Sequence, residues 1–133
     1  DTLIIGAGSG DGLAPGMMVT AFGDVLLGYL SEVSASVSKV KLISFSGEEI
    51  NVMFKNLGLS ITAYGRGGEN LERNLPRIIE VSIGETIVTL DNLQLLAGVV
   101  QKIEKSPTDP FQKFLFRLPL NLNYLRYVLV VKS

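Results

Sequence analysis

The sequence contains no cysteine, no histidine and no tryptophan. Without cysteine there are no disulfides, zinc knuckles, cysteine-ligated iron–sulfur clusters or thiol nucleophiles. Without histidine there is no Ser-His-Asp triad, no Cys-His dyad and no imidazole metal site. Charge is sparse, at 19% of residues, and the net charge is −1 with a pI near 5.4. A non-specific nucleic-acid binder is usually basic, so that class is disfavoured. No apolar run approaches the length of a membrane span, and no charged n-region precedes an apolar h-region as in a signal peptide. The first residue is Asp1 rather than Met, so a fragment or a processed chain is expected. Lack of cysteine suits either the cytosol or an oxidising compartment.

Helical periodicity is also scarce. What fills the 133 residues is 47% apolar sequence in short runs, broken by Gly, Ser, Asn and Asp. This is all-β patterning, in a length that suits one domain or two very small ones. Strands are expected at 2–7, 17–22, 25–33, 37–45, 50–54, 59–64, 78–83, 86–90, 95–105, 111–118 and 127–132. A turn of helix is expected around Leu120 to Leu125. Gly8 to Gly12, Pro15-Gly16, Gly23-Asp24 and Ser46 to Glu49 read as turns. Gly28 inside a strand reads as a bulge, a bend or a close backbone approach. With no helices to cover sheet faces, closure into small barrels is the natural way to bury such strands and hide their edges.

The two halves resemble each other. Gly16-Met17-Met18-Val19 leads through Leu26-Leu27-Gly28 to Glu32-Val33. Gly84-Glu85-Thr86-Ile87 leads through Ala97-Gly98-Val99 to Ile103-Glu104. Each copy then crosses a polar loop, 34–38 or 106–110, into another apolar strand. Two related β-barrels are therefore expected, at 1–66 and 67–133, with the joint near Gly65 to Leu75 and strands open to exchange between them. Charge is uneven as well: residues 1–38 sum to −4 and residues 101–133 to +4. Solvated faces account for this, and complementary contact patches are the sharper reading.

Candidate catalytic chemistry is thin. Gly6-Ala7-Gly8-Ser9-Gly10 misses the G-x-G-x-x-G spacing in both registers, and Pro15-Gly16 interrupts any helix behind it. Glu48-Glu49 and Glu69 with Glu72 lie in turns or loops, where solvated charge is the default. Ser36 to Lys39 gives S-x-x-K, but the S-D-N and K-T-G companions are absent. Gly65-Arg66-Gly67-Gly68 could bind an anion through Arg66 and backbone amides, or serve as the connector between barrels. Phe111 to Phe116 mixes aromatic and polar residues, as a half-buried strand does and as an RNA-stacking strand can. No catalytic residue, metal or cofactor is expected. Arg66, Phe111, Lys113, Arg117 and Tyr127 are the candidate partner-binding residues.

Four blocks, in order, resemble the extracytoplasmic region of the rod shape-determining protein MreC family. They are Gly10 to Leu13 with Gly16 to Val19; Leu26 to Val33 with Ser38 to Leu42; Gly65 to Leu71 with Leu75-Pro76 and Gly84 to Thr89; and Gly98 to Val100 through Phe111 to Tyr127-Val131. The family's glycine-rich turn and Pro-Lys-Gly-type hairpin are missing, replaced by the short Leu90 to Leu96. The resemblance implies two small β-barrels and no enzymatic activity. It implies a scaffold of lateral peptidoglycan synthesis on the outer face of the cytoplasmic membrane, anchored through upstream residues. It implies MreB, MreD, RodA and a class B penicillin-binding protein as partners, and self-association into dimers or filaments. A membrane-fusion-type adaptor barrel and a double-barrel protease relic with Ser-Lys chemistry are the alternatives.

Overall fold

A computed structural model describes residues 1–132. Alternating burial sets its strands. In 111–117, Gln112, Phe114 and Phe116 are buried while Phe111 and Arg117 are exposed, the period-two signature of a sheet with one covered face. The strands in chain order are β1 (Thr2–Ile5), β2 (Met18–Ala21), β3 (Val25–Val33), β4 (Ser38–Leu42), β5 (Glu49–Phe54), β6 (Ser60–Gly67), β7 (Asn70–Pro76), β8 (Thr86–Thr89), β9 (Leu96–Lys105), β10 (Phe111–Arg117) and β11 (Leu129–Val131). The only helical structure among the described residues is two single 3-10 turns, Ser9–Asp11 and Leu122–Tyr124. The second falls where the helical turn is expected.

Six strands close on themselves. β8 pairs with β5 on one side and β9 on the other, and β9–β10–β7–β6–β5 completes the circuit, all antiparallel. Closure removes sheet edges and leaves every ladder partnered. Inside the ring, Phe54, Phe114 and Phe116 pack with centroids 5.8–6.4 Å apart, edge-on between Phe54 and Phe114. The remaining strands form an open sheet in the order β1–β4–β3–β2–β11. Val19, Leu30, Val40 and Leu42 fill its inner face. The two meet where Leu96 N–H donates to Asp24 C=O at 2.8 Å, beside the parallel pair Val25 and Leu96. They meet again where Gly65 and Gly67 N–H donate to Glu48 and Ser44 C=O, both at 2.7 Å.

The hairpins β2–β3 and β8–β9 share a hydrogen-bond plan. Gly16 N–H donates to Leu30 C=O and Leu30 N–H to Met17 C=O; Gly84 N–H donates to Val100 C=O and Val100 N–H to Glu85 C=O. Gly28 stands opposite Val19 and Gly98 opposite Ile87, and each ladder shifts register at the next residue. Gly28 is the close backbone approach expected from the sequence: a Cβ there would lie 2.0 Å from Lys41 O.

Two expectations fail. Residues 78–83 are not a strand, and Ile78 and Ile83 are 85% and 60% exposed. The ring is already closed by β8, so no edge is left for them to join. They are held instead by Gln112, whose Nε2 donates to Pro76 O at 3.1 Å and Ile79 O at 2.6 Å. Pairing also does not follow the division expected at residue 66. Gly65 to Gly68 lies at the turn of the β6–β7 hairpin, not at a joint between barrels. β5 and β6 belong to the ring with β7–β10, and β11 returns to β2. β7 escapes the sequence reading because only Leu71 and Leu75 of its seven residues are buried.

Gly28→Ala is expected to lower stability by about 1–3 kcal/mol, because Lys41 backbone must shift to admit the methyl group. Gly6→Ala, with nothing within 4 Å of the added atom, is expected to be near neutral. Urea midpoints of the two variants make the comparison.

Candidate functional site

β10 and β7 lie side by side and share one outer face of the ring. Lys113 lies opposite Asn74, Leu115 opposite Glu72 and Arg117 opposite Asn70. The Glu72 carboxylate sits 3.6 Å from Arg66 and 3.8 Å from Lys113, and Glu69 sits 4.0 Å from Arg117. All five side chains are partly solvated, so each pair contributes at most about 1 kcal/mol. What the pairs do is order the layout. Beside them the Arg73 guanidinium lies 5.7 Å from the Tyr64 ring centroid and donates to Thr62 O at 3.4 Å and Tyr64 Oη at 3.3 Å.

Three of the five predicted partner-binding residues, Arg66, Lys113 and Arg117, therefore share one face of the ring. Phe111 lies on the same outer face, two residues from Lys113, and both line one groove. It stands at the other end of β10, about 20 Å from Arg117 at the rise of an extended chain. There it is half exposed on a groove of about 410 Å³ shared with Asn74, Lys105 and Asp109. Tyr127 lies on the other sheet, 85% exposed, in the run that leads into β11.

The anion suggested for Gly65 to Gly68 is one of the chain's own. The Asp1 carboxylate accepts from Gly68 N–H at 2.8 Å and Glu69 N–H at 3.1 Å. Gly67, Gly68 and Glu69 all have positive φ, which turns successive amides toward one point. The acidic pairs weighed for catalysis are mostly held by cations: Glu48 by Lys41 at 3.3 Å, and Glu69 and Glu72 as above. Ser38 of the S-x-x-K stretch donates from Oγ to Ala7 O at 2.7 Å.

The short loop between β8 and β9 is organised by Asp91. Its Oδ1 accepts from Thr89 Oγ1 at 2.8 Å and from Leu93 and Gln94 N–H, and Leu95 N–H donates to Thr89 Oγ1. The loop reaches β3: burial pushes the Tyr29 hydroxyl above its ordinary pKa, and the Asp91 charge pushes it further the same way. Sequence reasoning missed the exposed apolar residues nearby. Phe22 is 75% exposed in a left-handed conformation (φ 57°), and Leu93 is 58% exposed. Phe22 directly before Gly23-Asp24 was the available signal, an aromatic at a turn. It also missed a groove of about 420 Å³ between β1 and the segment around β11, since strand edges are not visible in composition.

The family model for rod shape-determining protein MreC, barrel core, matches residues 1–132. The crystal structure of MreC from Pseudomonas aeruginosa superposes with a TM-score of 0.87 at 25% identity, covering 98% of this chain and 88% of that one. MreC from Listeria monocytogenes superposes with a TM-score of 0.76 at 22% identity, covering 98% and 67%. The major periplasmic domain of the cell shape-determining filament MreC gives 0.64 at 20% identity, covering 100% and 89%. Among curated protein sequences none matches.

Tyr29 predicts a pH dependence. Its folded pKa is raised above the unfolded value, so its contribution to stability is complete below pH 10 and is lost as pH rises through the folded value. Tyr29→Phe is expected to remove that part of the alkaline destabilisation. Asp91→Asn is expected to remove less, since burial is the larger cause. Urea titrations across alkaline pH read both.

Proposed function

We propose, because the chain belongs to the rod shape-determining protein MreC family, that it is the partner-binding barrel region of a non-catalytic scaffold for lateral cell-wall synthesis. The family match across residues 1–132 is the observation that carries this reading. The scaffold works outside the cytoplasmic membrane, held there by a segment upstream of these residues. A solved relative described as a periplasmic domain supports that placement. A class B penicillin-binding protein and RodA are the extracytoplasmic partners, with MreD and MreB completing the assembly and copies of the chain associating as dimers or filaments.

The chain works as two packed units, the six-strand ring and the open sheet, derived from one repeated hairpin-and-strand plan. The matching hydrogen bonds of β2–β3 and β8–β9 support that derivation. Partner contact falls first on the ring face bearing Arg66, Lys113 and Arg117, with Phe111 and Tyr127 as outlying contacts. Rim charges of this kind steer association and fix register more than they add affinity.

Cells depleted of the protein are expected to round up, and the unaltered chain, expressed with its anchor, to restore rod shape. A Lys113→Glu/Arg117→Glu double variant is expected to fold normally, to capture less penicillin-binding protein in a pull-down and to restore cell width only partly. Unchanged cell shape on depletion overturns the scaffold role. Full rescue and full capture by the double variant overturn the assigned face.

A further inference from the structure

The open sheet ends in two unsatisfied edges. Among the described residues, β1 pairs only with β4, and β11 only with β2. Register shows which backbone groups of β1 are free. Leu42 N–H donates to Asp1 C=O at 2.9 Å, and Leu3 and Ile5 follow at two-residue steps opposite Val40 and Ser38. Bonded and non-bonded pairs alternate along an antiparallel ladder, so Thr2 and Ile4 turn their N–H and C=O away from β4. Between the two edges lies the groove of about 420 Å³, lined by Leu3 and Ile5 on one side and Leu122, Leu125, Val128 and Val130 on the other. Free edges are normally blunted by charge or cover. Here the outward side chains are Ile4, 67% exposed, and Leu129, 58% exposed.

The charged side chain that lines this groove is a cation. Arg126 lines the groove, is exposed, and makes no ion pair among the described residues. Lys39 stands opposite Ile4 on β4, and Lys132 reaches across to Asp11 O at 2.7 Å. The nearby Asp1 carboxylate is occupied by the Gly68 and Glu69 amides. Two copies joined seam to seam would bring both Arg126 side chains into one interface whose groove lining offers no carboxylate, which disfavours self-pairing here.

We propose that the seam between β1 and β11 takes an extended segment of a partner protein as an added strand, apolar at alternate positions and carrying a carboxylate that meets Arg126. Strand addition supplies main-chain hydrogen bonds from the free edges, and alternate side chains fill the groove. This rests on the scaffold reading and gives one partner contact its chemistry and its place.

The test is fluorescence anisotropy of a labelled peptide of about eight residues, alternating Val and Thr with one central Glu, titrated with the full chain. Saturable binding is expected. Arg126→Glu is expected to weaken it about tenfold or more. Replacing the peptide Glu by Lys is expected to weaken it similarly, and the two changes together to restore it. N-methylation of alternate peptide amides is expected to abolish it, and Ile4→Pro, which removes a seam-facing N–H, to weaken it. Arg126→Glu keeps the test decisive if Ile4→Pro unfolds the chain. No binding, equal binding of the N-methylated peptide, or indifference to the charge swap overturns the proposal. So do dimers in sedimentation velocity that Ile4→Pro abolishes, which would assign the seam to a second copy. Loss of the peptide result with intact rescue of cell shape sinks the seam and leaves the scaffold role standing. Failure of the unaltered chain to restore shape sinks the scaffold role itself.

Discussion

A four-residue strand governs the architecture. β8 hydrogen-bonds to β5 and to β9, and without that double pairing the ring would be an open six-strand sheet with two more edges to cover. Its inward residue Ile87 lies opposite both Phe54 and Gly98. The space over Gly98 is filled by the Ile87 side chain, 3.2 Å from where a Cβ would stand. Closure and core packing are thus the same contact. Closure also explains why residues 78–83 run as irregular chain, although their composition favours a strand.

The ring supplies a rigid surface, and the open sheet supplies edges. On the ring, charge is neutralised pairwise and laid out by register, so the face carrying Arg66, Glu72 and Lys113 is ordered without being strongly attractive. On the open sheet, apolar side chains and free backbone groups lie beside Arg126, which makes no ion pair among the described residues. The two ends of the chain meet here, where the Lys132 ammonium donates to the Asp11 backbone carbonyl.

Most strands were legible because alternation and Gly, Pro or Asp punctuation act locally. Gly28 and Gly98 were legible in the same way, as glycines inside strands, and each stands next to a register shift. β7 was hidden because five of its seven residues lie on outer or half-covered positions, four of them polar and the fifth a proline. The partition was hidden because no local signal says that β11 belongs beside β2, more than a hundred residues earlier. Of the candidate contact residues, Arg66, Lys113 and Arg117 converge through ladder register, which spacing along one strand can suggest. Phe111 joins the same strand face through that spacing, while Tyr127 lies by the other sheet, where residue type does not encode distance.

The return of β11 to β2 has a consequence for how the molecule forms. Everything in the ring lies between Glu49 and Arg117, while the open sheet needs Met18 to meet Val131. Contacts that span most of a chain form late, because a long loop must close before they add stability. During synthesis the ring can assemble while the open sheet still lacks its last strand. Until that strand docks, β2 is the bare edge in its place. β11 therefore acts as a latch on a unit whose other strands were made first, and a ribosome pause before its residues are made would prolong the interval in which that edge is open to other chains.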